Sequence, residues 1–310
     1  GYFLLAENQK KKKNISNEME HLKTAHEHSF QHKLSYNKQS LHYWMNVVPR
    51  KYEKFNFINN DKIKNELMDM EPIFIIGLPR SGSTIVESIL SSGTTKIIGL
   101  GETNIINWSI INSNRQILED QKSVILDIGA ISSKLLTGLG NLDILNKKNI
   151  IFTEKSLENF FYIDVILKIF PKAKFINTFR NTEDNIYAIF QQFLSNISWT
   201  HSFENILNYV DNYLKAISFF KKKHPGKIFS LNLEELTNSQ EEVSKKMYNF
   251  CNLEWNIKAL EFYNRKDLFS NTASNTQIRK NIEKYDSEKY KPYKELLKKF
   301  SHRYHWINTE

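Results

Sequence analysis

The sequence predicts an α/β fold, a three-layer sandwich with a mostly parallel central sheet, preceded by a short α-helical, repeat-like segment. From residue 72 onward, short apolar runs alternate with amphipathic helical stretches, the pattern of strand–helix–strand units that pair in parallel. Before residue 72 the chain is polar, its apolar residues have helical spacing, and it shows no strand pattern. We therefore predict a helical segment at 1–69 and an α/β domain at 70–310.

Short apolar runs mark the predicted strands: Ile73–Ile76, Lys96–Ile98, Asn149–Phe152, Lys174–Thr178 and Lys227–Leu231. In the first segment, apolar spacing predicts helices at Glu18–Phe30 and Leu34–Phe55, which amount to one helix-pair repeat unit at most. Later in the chain, Ser239 and Glu242 have the spacing of a capping box that opens a helix ending near Cys251.

Composition limits the classes of function. Hydrophobic residues make up 40% and charged residues 25%, and no apolar run approaches the roughly 18 residues that cross a bilayer, so we predict no membrane partner. The net charge of +9 comes with lysine-rich helical faces and no nucleic-acid motif. Cys251 is the single cysteine, which favours a reducing, cytoplasmic location. His28 and His32 have zinc-ligand spacing but no partner cluster, so we predict no metal.

The segment Pro72–Thr84, PIFIIGLPRSGST, has the spacing of the phosphate-binding loop G-x-x-x-x-G-K-[ST]. Gly77 and Gly82 are separated by four residues, and Ser83 stands where that motif has lysine. The pattern predicts a P-loop-like strand, loop and helix, in which the amide groups at the helix start bind an anion.

The missing lysine narrows the predicted ligand. A nucleoside triphosphate needs a lysine and Mg²⁺ to neutralise its terminal phosphate. A 5′-phosphate that carries a sulfuryl group is less charged and needs no metal. The forked guanidinium of Arg80 and the hydroxyls of Ser81, Ser83 and Thr84 would suffice for it.

The string GLPRSGSTIVESIL resembles the 5′-phosphosulfate-binding loop of sulfotransferases that use 3′-phosphoadenosine 5′-phosphosulfate (PAPS). It is most similar to the branch with tyrosylprotein sulfotransferases and bacterial enzymes with tetratricopeptide repeats. The resemblance runs from about residue 72 to 292, and residues 1–69 would match the end of the repeat region. It implies PAPS as co-substrate, 3′-phosphoadenosine 5′-phosphate (PAP) as product, and a binding loop made of Pro79, Arg80, Ser81, Gly82, Ser83 and Thr84.

Three further motifs match residues that act in the transfer. Glu102, in GLGET, matches the general base of the family, although a helix-start carboxylate that complements the helix dipole explains it equally well from the residues alone. Lys155, in TEKSLENF, matches the lysine that stabilises the leaving phosphate. Ser274, in TASNTQIRKN, matches a serine that assists it, and Arg80 joins this catalytic set.

The resemblance assigns further nucleotide-binding side chains to Arg180, Gln192, Arg279 and Lys289, with Arg180 and Lys289 on the 3′-phosphate. Two positions depart from the family pattern. Ala188 stands where a serine helps to grip the 3′-phosphate, and Leu233 stands where a tyrosine helps to hold the nucleotide. The loss of one hydroxyl should cost about 1 kcal/mol of binding free energy.

The sequence therefore predicts a PAPS-dependent sulfotransferase that moves a sulfuryl group directly, in line, to an acceptor hydroxyl. The acceptor, a protein tyrosine, a carbohydrate or a small alcohol, is left open, and no nucleic-acid partner is expected. Two alternatives remain. One is a helical-repeat scaffold with an inactive sulfotransferase domain, to which Ala188 and Leu233 give some weight and against which the retained set Arg80, Glu102, Lys155 and Ser274 argues. The other is a nucleotide kinase with an altered loop, which Ser83 disfavours.

Overall fold

The computed structural model describes residues 1–118, 124–145, 151–265 and 279–307. Strands in these ranges are β1 (Phe55–Ile58), β2 (Ile73–Gly77), β3 (Ile97–Gly99), β4 (Val124–Asp127), β5 (Ile151–Glu154), β6 (Lys174–Phe179) and β7 (Ile228–Asn232). Helices are α1 (Tyr2–Lys11), α2 (Ile15–His32), α3 (Leu34–His42), α4 (Asn65–Met68), α5 (Ser83–Ser91), α6 (Ile105–Ser113), α7 (Ile128–Asn141), α8 (Ile163–Ile169), α9 (Thr182–Phe190), α10 (Phe203–Lys223), α11 (Leu233–Asn238), α12 (Gln240–Phe250) and α13 (Glu295–Lys298).

The chain divides into two compact units, each described by itself. Unit 1 is made of Gly1–Asn46, Arg180–Leu214 and Asp286–Glu310, and unit 2 of Val47–Phe179 and Lys215–Tyr285. The two units do not follow one another along the chain, because segments of one alternate with segments of the other. The predicted domain boundary at residue 69 stays a prediction.

Unit 2 contains a parallel sheet with the strand order β3-β5-β2-β6-β7. Strand β2 lies at its centre and is buried along its whole length, in register with β6 from Ile73 opposite Lys174 to Gly77 opposite Thr178. A central strand of a parallel sheet is covered on both faces, which explains the unbroken apolar run IFII. The α/β class predicted from the sequence is confirmed, as are the five predicted strands to within two residues of their ends.

Side chains of β2 alternate between the two faces of the sheet. Ile73 and Ile75 belong to a buried apolar cluster with residues of α5 and α12. Phe74 points the other way, with its ring centroid 6.2 Å from that of Phe170, which follows α8. Helices on both faces complete the predicted three layers.

A second, two-stranded parallel sheet in unit 2 corrects the prediction of an all-helical segment before residue 72. Strand β1 pairs with β4, from Phe55 opposite Val124 to Ile58 opposite Asp127. The helix predicted for Leu34–Phe55 ends at His42, and short π and 3₁₀ turns follow up to Lys54. Tertiary pairing overrides the local helical pattern here.

Helix α12 ends at Phe250, next to Cys251, as the sequence predicts. Cys251 is buried after α12, and burial raises the pKa of its thiol to about 12, as fits a small core residue. Helix α12 begins after Ser239, but the Ser239 side chain does not form the predicted cap hydrogen bond.

In the described ranges, none of the helices combines the length and the apolar character needed to cross a bilayer.

Unit 1 holds the helical segment at the start of the chain together with α9 and part of α10. Its core contains a neutral histidine pair. His26 Nε2 lies 2.8 Å from the carbonyl oxygen of Phe190, so it carries the proton and donates. His26 Nδ1 is therefore an acceptor, and Nδ1 of His201 donates to it at 3.2 Å. Burial, with a smaller contribution from His201, lowers the pKa of His26 to about 4.

We expect the protonation of His26 to make unit 1 less stable in mild acid. An unfolded histidine titrates near pH 6.5, so His26 contributes its full stability above that pH and loses it as the pH falls toward 4. This amounts to about 2 kcal/mol of unfolding free energy between pH 7 and pH 5. Urea unfolding at the two pH values measures it. His26→Gln should flatten the pH dependence, whereas the exposed His32→Gln should leave it unchanged. An unaltered pH dependence in His26→Gln would contradict this account.

Candidate active site

The loop between β2 and α5 carries the first group of predicted site residues. Three of its residues have positive φ: Gly77 at +144°, Arg80 at +68° and Gly82 at +93°. A Cβ on Gly77 would lie 2.3 Å from the carbonyl oxygen of Thr178 on β6, so only glycine fits where the loop leaves the sheet. The backbone can therefore turn tightly from the central strand into the helix, as the motif predicts.

Ser81 holds this loop together from inside. Its Oγ donates to the carbonyl oxygen of Leu78 at 2.7 Å and lies 2.7 Å from Oγ1 of Thr178, and its side chain is fully buried. The hydroxyl that the sequence assigns to the ligand is thus engaged within the protein. We interpret Ser81 as a residue that shapes the loop, and a direct contact with the ligand stays a prediction.

Helix α5 starts where the loop ends, at Ser83, and Ser83 and Thr84 are both buried. The amide of Val86 donates to the carbonyl oxygen of Gly82 at 3.1 Å, so the amides before it have no partner within the helix. Together with the positive end of the helix dipole, such amides favour an anion. Arg80, partly buried in the loop, adds a guanidinium of matching charge.

Leu233, at the start of α11, packs against this loop. A Cβ on Gly82 would lie 2.6 Å from Cδ1 of Leu233, too close for any side chain without movement. Leu233 is therefore a structural neighbour of the phosphate-type loop, in the place where the resemblance expects a tyrosine.

We expect Gly82→Ala to destabilise the protein by ~1–3 kcal/mol, because it forces a positive φ on alanine and a clash with Leu233. Leu233→Ala removes the clashing atoms at the cost of a cavity. In the double variant the losses should therefore be smaller than the two single losses together. Urea unfolding of the three variants measures this coupling, and strict additivity would show that Leu233 does not constrain the loop.

The second group of site residues lies at the carboxyl end of β5. Lys155 follows this strand, is only 1% exposed, and places its Nζ 2.8 Å from Oε1 of Glu102. The Glu102 side chain is 46% exposed, so it faces solvent while its partner is buried. The sequence predicted both residues from separate motifs, and the structure brings them into one ion pair. In an open α/β sheet, the edge at which strands end is where ligands bind.

The Glu102 segment is held against the end of β5 by backbone and side-chain hydrogen bonds. The amide of Lys155 donates to the carbonyl oxygen of Gly101 at 2.8 Å. The fully buried carboxylate of Glu154 accepts from the Thr103 hydroxyl at 2.9 Å and from the Ser156 amide at 3.0 Å. Burial raises the pKa of Glu154 despite these donors. Glu154 thus fixes the position of Glu102 relative to Lys155.

Sequence reasoning missed Glu87, which lies on α5 and faces Lys155. Its Oε1 accepts from Oγ1 of Thr153 at 3.0 Å and from the Gly101 amide at 3.2 Å, and its Oε2 lies 4.0 Å from Nζ of Lys155. Burial raises the pKa of Glu87, and the charge of Lys155 opposes that effect. The signal that could have found it is a single carboxylate in an otherwise uncharged helix, one turn after Ser83.

Glu158, four residues after Glu154 and partly buried, is a second carboxylate that the motifs did not single out. Burial, reinforced by the charges of Glu102 and Glu154, raises its pKa to about 7. Glu158 is therefore far more readily protonated near neutral pH than an ordinary glutamate. Among the described residues, no group of three or more His, Cys, Asp or Glu side chains is placed to hold a metal ion.

Unit 1 holds the side chains predicted for the 3′-phosphate. Cζ of Arg180 and Nζ of Lys289 each lie 5.3 Å from the ring centroid of Tyr290, which is only 4% exposed. The two cations therefore gather over one buried ring, within cation–π distance. Ala188, on α9, is buried.

The positions of the remaining predicted residues say less about a nucleotide site. Gln192 is half-buried just after α9, and its backbone amide donates to the carbonyl oxygen of Ile189 at 3.0 Å. Arg279 is exposed, and its Nη1 donates to the carbonyl oxygen of Arg265 at 3.1 Å. Ser274 lies outside the described residues, so its role stays a prediction.

The parallel α/β sheet, the glycine-bounded loop before α5 and the buried lysine at a neighbouring strand end form an arrangement that is typical of phosphate-binding α/β proteins. Residues 72–256 match the profile of the Sulfotransferase family. That match covers more than half of the chain, which therefore belongs to the sulfotransferase family. The match includes the loop, Glu102, Lys155, Arg180 and Leu233, and it ends before Lys289.

The individual proteins that resemble this chain share less than a third of its residues. An uncharacterised protein of Aquifex aeolicus (strain VF5) is 30% identical over 238 residues, which are 73% of this chain and 31% of that protein. The chain thus spans about a third of the length of that curated relative. The sulfotransferase domain of the Synechococcus PCC 7002 olefin synthase is 16% identical, with a TM-score of 0.49, over 72% of this chain and 88% of that one. Mouse sulfotransferase SULT7A1, solved with PAP, is 14% identical, with a TM-score of 0.43, over 79% and 92%.

Proposed function

We propose that this protein transfers a sulfuryl group from PAPS to the hydroxyl of an acceptor. The observation that carries the proposal is the ion pair between the buried Lys155 and the exposed Glu102, 2.8 Å apart at a strand end of the parallel sheet. It unites a fixed positive charge with a solvent-facing base. That combination is what a transfer reaction needs when its leaving group is anionic and its acceptor must lose a proton.

The loop between Gly77 and Ser83 fits a 5′-phosphosulfate. Its amides at the start of α5 provide donors without a fixed charge, and Arg80 supplies one guanidinium. Since Ser83 replaces the lysine of triphosphate-binding loops, the positive charge there is modest, as suits a less charged ligand. Neither the loop nor the Lys155–Glu102 pair needs a metal ion for this role.

PAPS supplies the sulfuryl group and the phosphate that leaves. In the transfer, the S–O bond to the acceptor oxygen forms while the S–O bond to the 5′-phosphate breaks, and the acceptor proton passes to Glu102. Protonation of Glu102 removes the charge that balances Lys155, so the ammonium becomes more available to the negative charge that builds on the leaving phosphate. Glu87, 4.0 Å away, keeps Lys155 in place throughout.

The 3′-phosphate is assigned to Arg180 and Lys289, which gather over the ring of Tyr290. Arg80 and Ser274 are proposed to assist Lys155, and Gln192 and Arg279 to contact the nucleotide. Membership of the tyrosylprotein and tetratricopeptide-repeat branch, a repeat origin of residues 1–69 and a cytoplasmic location are part of the same hypothesis, as is the choice among protein tyrosine, carbohydrate and small alcohol as acceptor.

Thermal unfolding with added nucleotides tests the proposal. A ligand that binds the folded state raises the melting temperature by mass action. We expect a rise with PAP, a smaller rise with 5′-AMP, which lacks the 3′-phosphate, and none with ATP and Mg²⁺. A rise with ATP and Mg²⁺ alone would instead favour a nucleotide kinase. The absence of any rise with PAP would favour an inactive scaffold.

A further inference from the structure

A third cation reaches Tyr290 from the first helix of the chain. Nζ of Lys10, on α1, lies 5.9 Å from the ring centroid of Tyr290, over which Arg180 and Lys289 are also placed. All four residues belong to unit 1. Three positive side chains from three separate segments of the chain thus converge on one buried ring.

A chain of hydrogen bonds holds Lys10 in this position. Its Nζ donates to Oε1 of Gln191, and Nε2 of Gln191 donates to Oε1 of Glu18 at 2.9 Å. The hydroxyl of Tyr293 donates to the other oxygen of Glu18 at 2.6 Å. Glu18 is only 1% exposed. The Lys10 side chain is therefore held by Gln191, which is in turn held by Glu18. A lysine in solvent has no such restraint.

The charges of Lys10 and Lys289 lie close enough to repel each other. Burial, and next the charge of Lys289, lower the pKa of Lys10, while Glu18 and Glu7 oppose the effect. Glu18 already accepts hydrogen bonds from Gln191 and Tyr293. Like charges held close together cost free energy, and an anion with two negative charges placed among them would recover it.

We propose that Lys10 is a third ligand of the 3′-phosphate of PAPS, beside Arg180 and Lys289. The inference rests on the proposed function and adds a residue that no motif assigned, from outside the stretch that resembles the family. It would also add a donor to a site that lacks the serine hydroxyl expected at Ala188. The first helix is then part of the nucleotide site.

Isothermal titration of the full chain with PAP and with 5′-AMP tests this assignment, since the two ligands differ by the 3′-phosphate. We expect Lys10→Gln to weaken PAP binding by about 5- to 20-fold and 5′-AMP binding by less than about twofold. Lys11→Gln is the matched control, because Lys11 is the next residue on α1, is 74% exposed, and pairs with Glu7 at 3.0 Å. It should change neither affinity by more than about twofold.

Lys10→Arg keeps the charge and should retain most of the affinity for PAP. Equal loss for both ligands in Lys10→Gln, no loss for either, or an equal effect of Lys11→Gln would each overturn the assignment. Wild-type protein that binds PAP no better than 5′-AMP would instead overturn the proposed function, so the two failures are distinguishable.

Discussion

Lys155→Met is expected to lower the rate of sulfuryl transfer by about 10²- to 10³-fold, the usual loss when a fixed donor to developing charge is removed. Lys155 is only 1% exposed, and its Nζ contacts Glu102 at 2.8 Å and Glu87 at 4.0 Å. The ammonium therefore acts in a site with little water, where its charge is weakly screened. The loss should fall on kcat, because the charge that Lys155 stabilises develops in the transition state. Steady-state rates of PAP formation measure it.

The same substitution leaves two carboxylates without their common partner. Breaking a buried ion pair costs roughly 3–5 kcal/mol, so the melting temperature of Lys155→Met must be measured beside its rate. Lys155→Arg retains the charge and should recover part of both. Lys172→Met removes an exposed lysine of unit 2 and should change neither. A folded Lys155→Met protein with the wild-type rate would show that Lys155 is a structural ion-pair residue.

Glu102→Gln is expected to lower the transfer rate by about 10²- to 10⁴-fold while leaving PAP binding intact. Gln keeps the shape of the side chain and an oxygen that accepts from Lys155, but it cannot take the acceptor proton. In this variant Lys155 loses its nearest charge partner and keeps Glu87 at 4.0 Å, so the melting temperature must be measured beside the rate. Rates and PAP affinities of the variant measure the two effects separately.

Glu158→Gln is the control for that experiment, because Glu158 lies near enough to Glu102 that the charge of Glu102 raises its pKa. We expect Glu158→Gln to keep most of the activity at neutral pH, because burial already favours the neutral form of Glu158. If Glu102→Gln turns over normally, Glu102 is only a helix-start carboxylate. If Glu158→Gln is the inactive variant, Glu158 is the base.

Local sequence patterns predicted the part of the site that depends on backbone geometry. The two glycines and the apolar run before them predicted the buried strand β2 and the tight loop after it, because both are requirements of one short segment. Lys155 and Glu102 were found as separate motif positions. Their ion pair could not be read from the sequence, since the two residues are 53 positions apart and only the pairing of β3 with β5 brings their segments together.

Residues that act through tertiary contacts escaped prediction. In the sequence, Glu87 is an ordinary helix carboxylate. Only the packing of α5 in the fold places it near Lys155. Lys10 lies in the lysine run KKKK, which has the composition of a solvated face, and only the fold places it near Tyr290. Strands β1 and β4 also escaped prediction, because they pair with each other in a sheet separate from the one that the strand–helix pattern predicts.

The most direct test of the central claim is the consumption of PAPS, followed as release of PAP, by wild-type protein and by Lys155→Met, with a panel of tyrosyl, carbohydrate and alcohol acceptors and with water alone. Water makes the test independent of the true acceptor, because slow hydrolysis of PAPS uses the same leaving group. The account predicts that wild-type protein consumes PAPS well above the rate of Lys155→Met. Wild-type protein that binds PAP but consumes PAPS no faster than Lys155→Met would contradict it and identify an inactive scaffold.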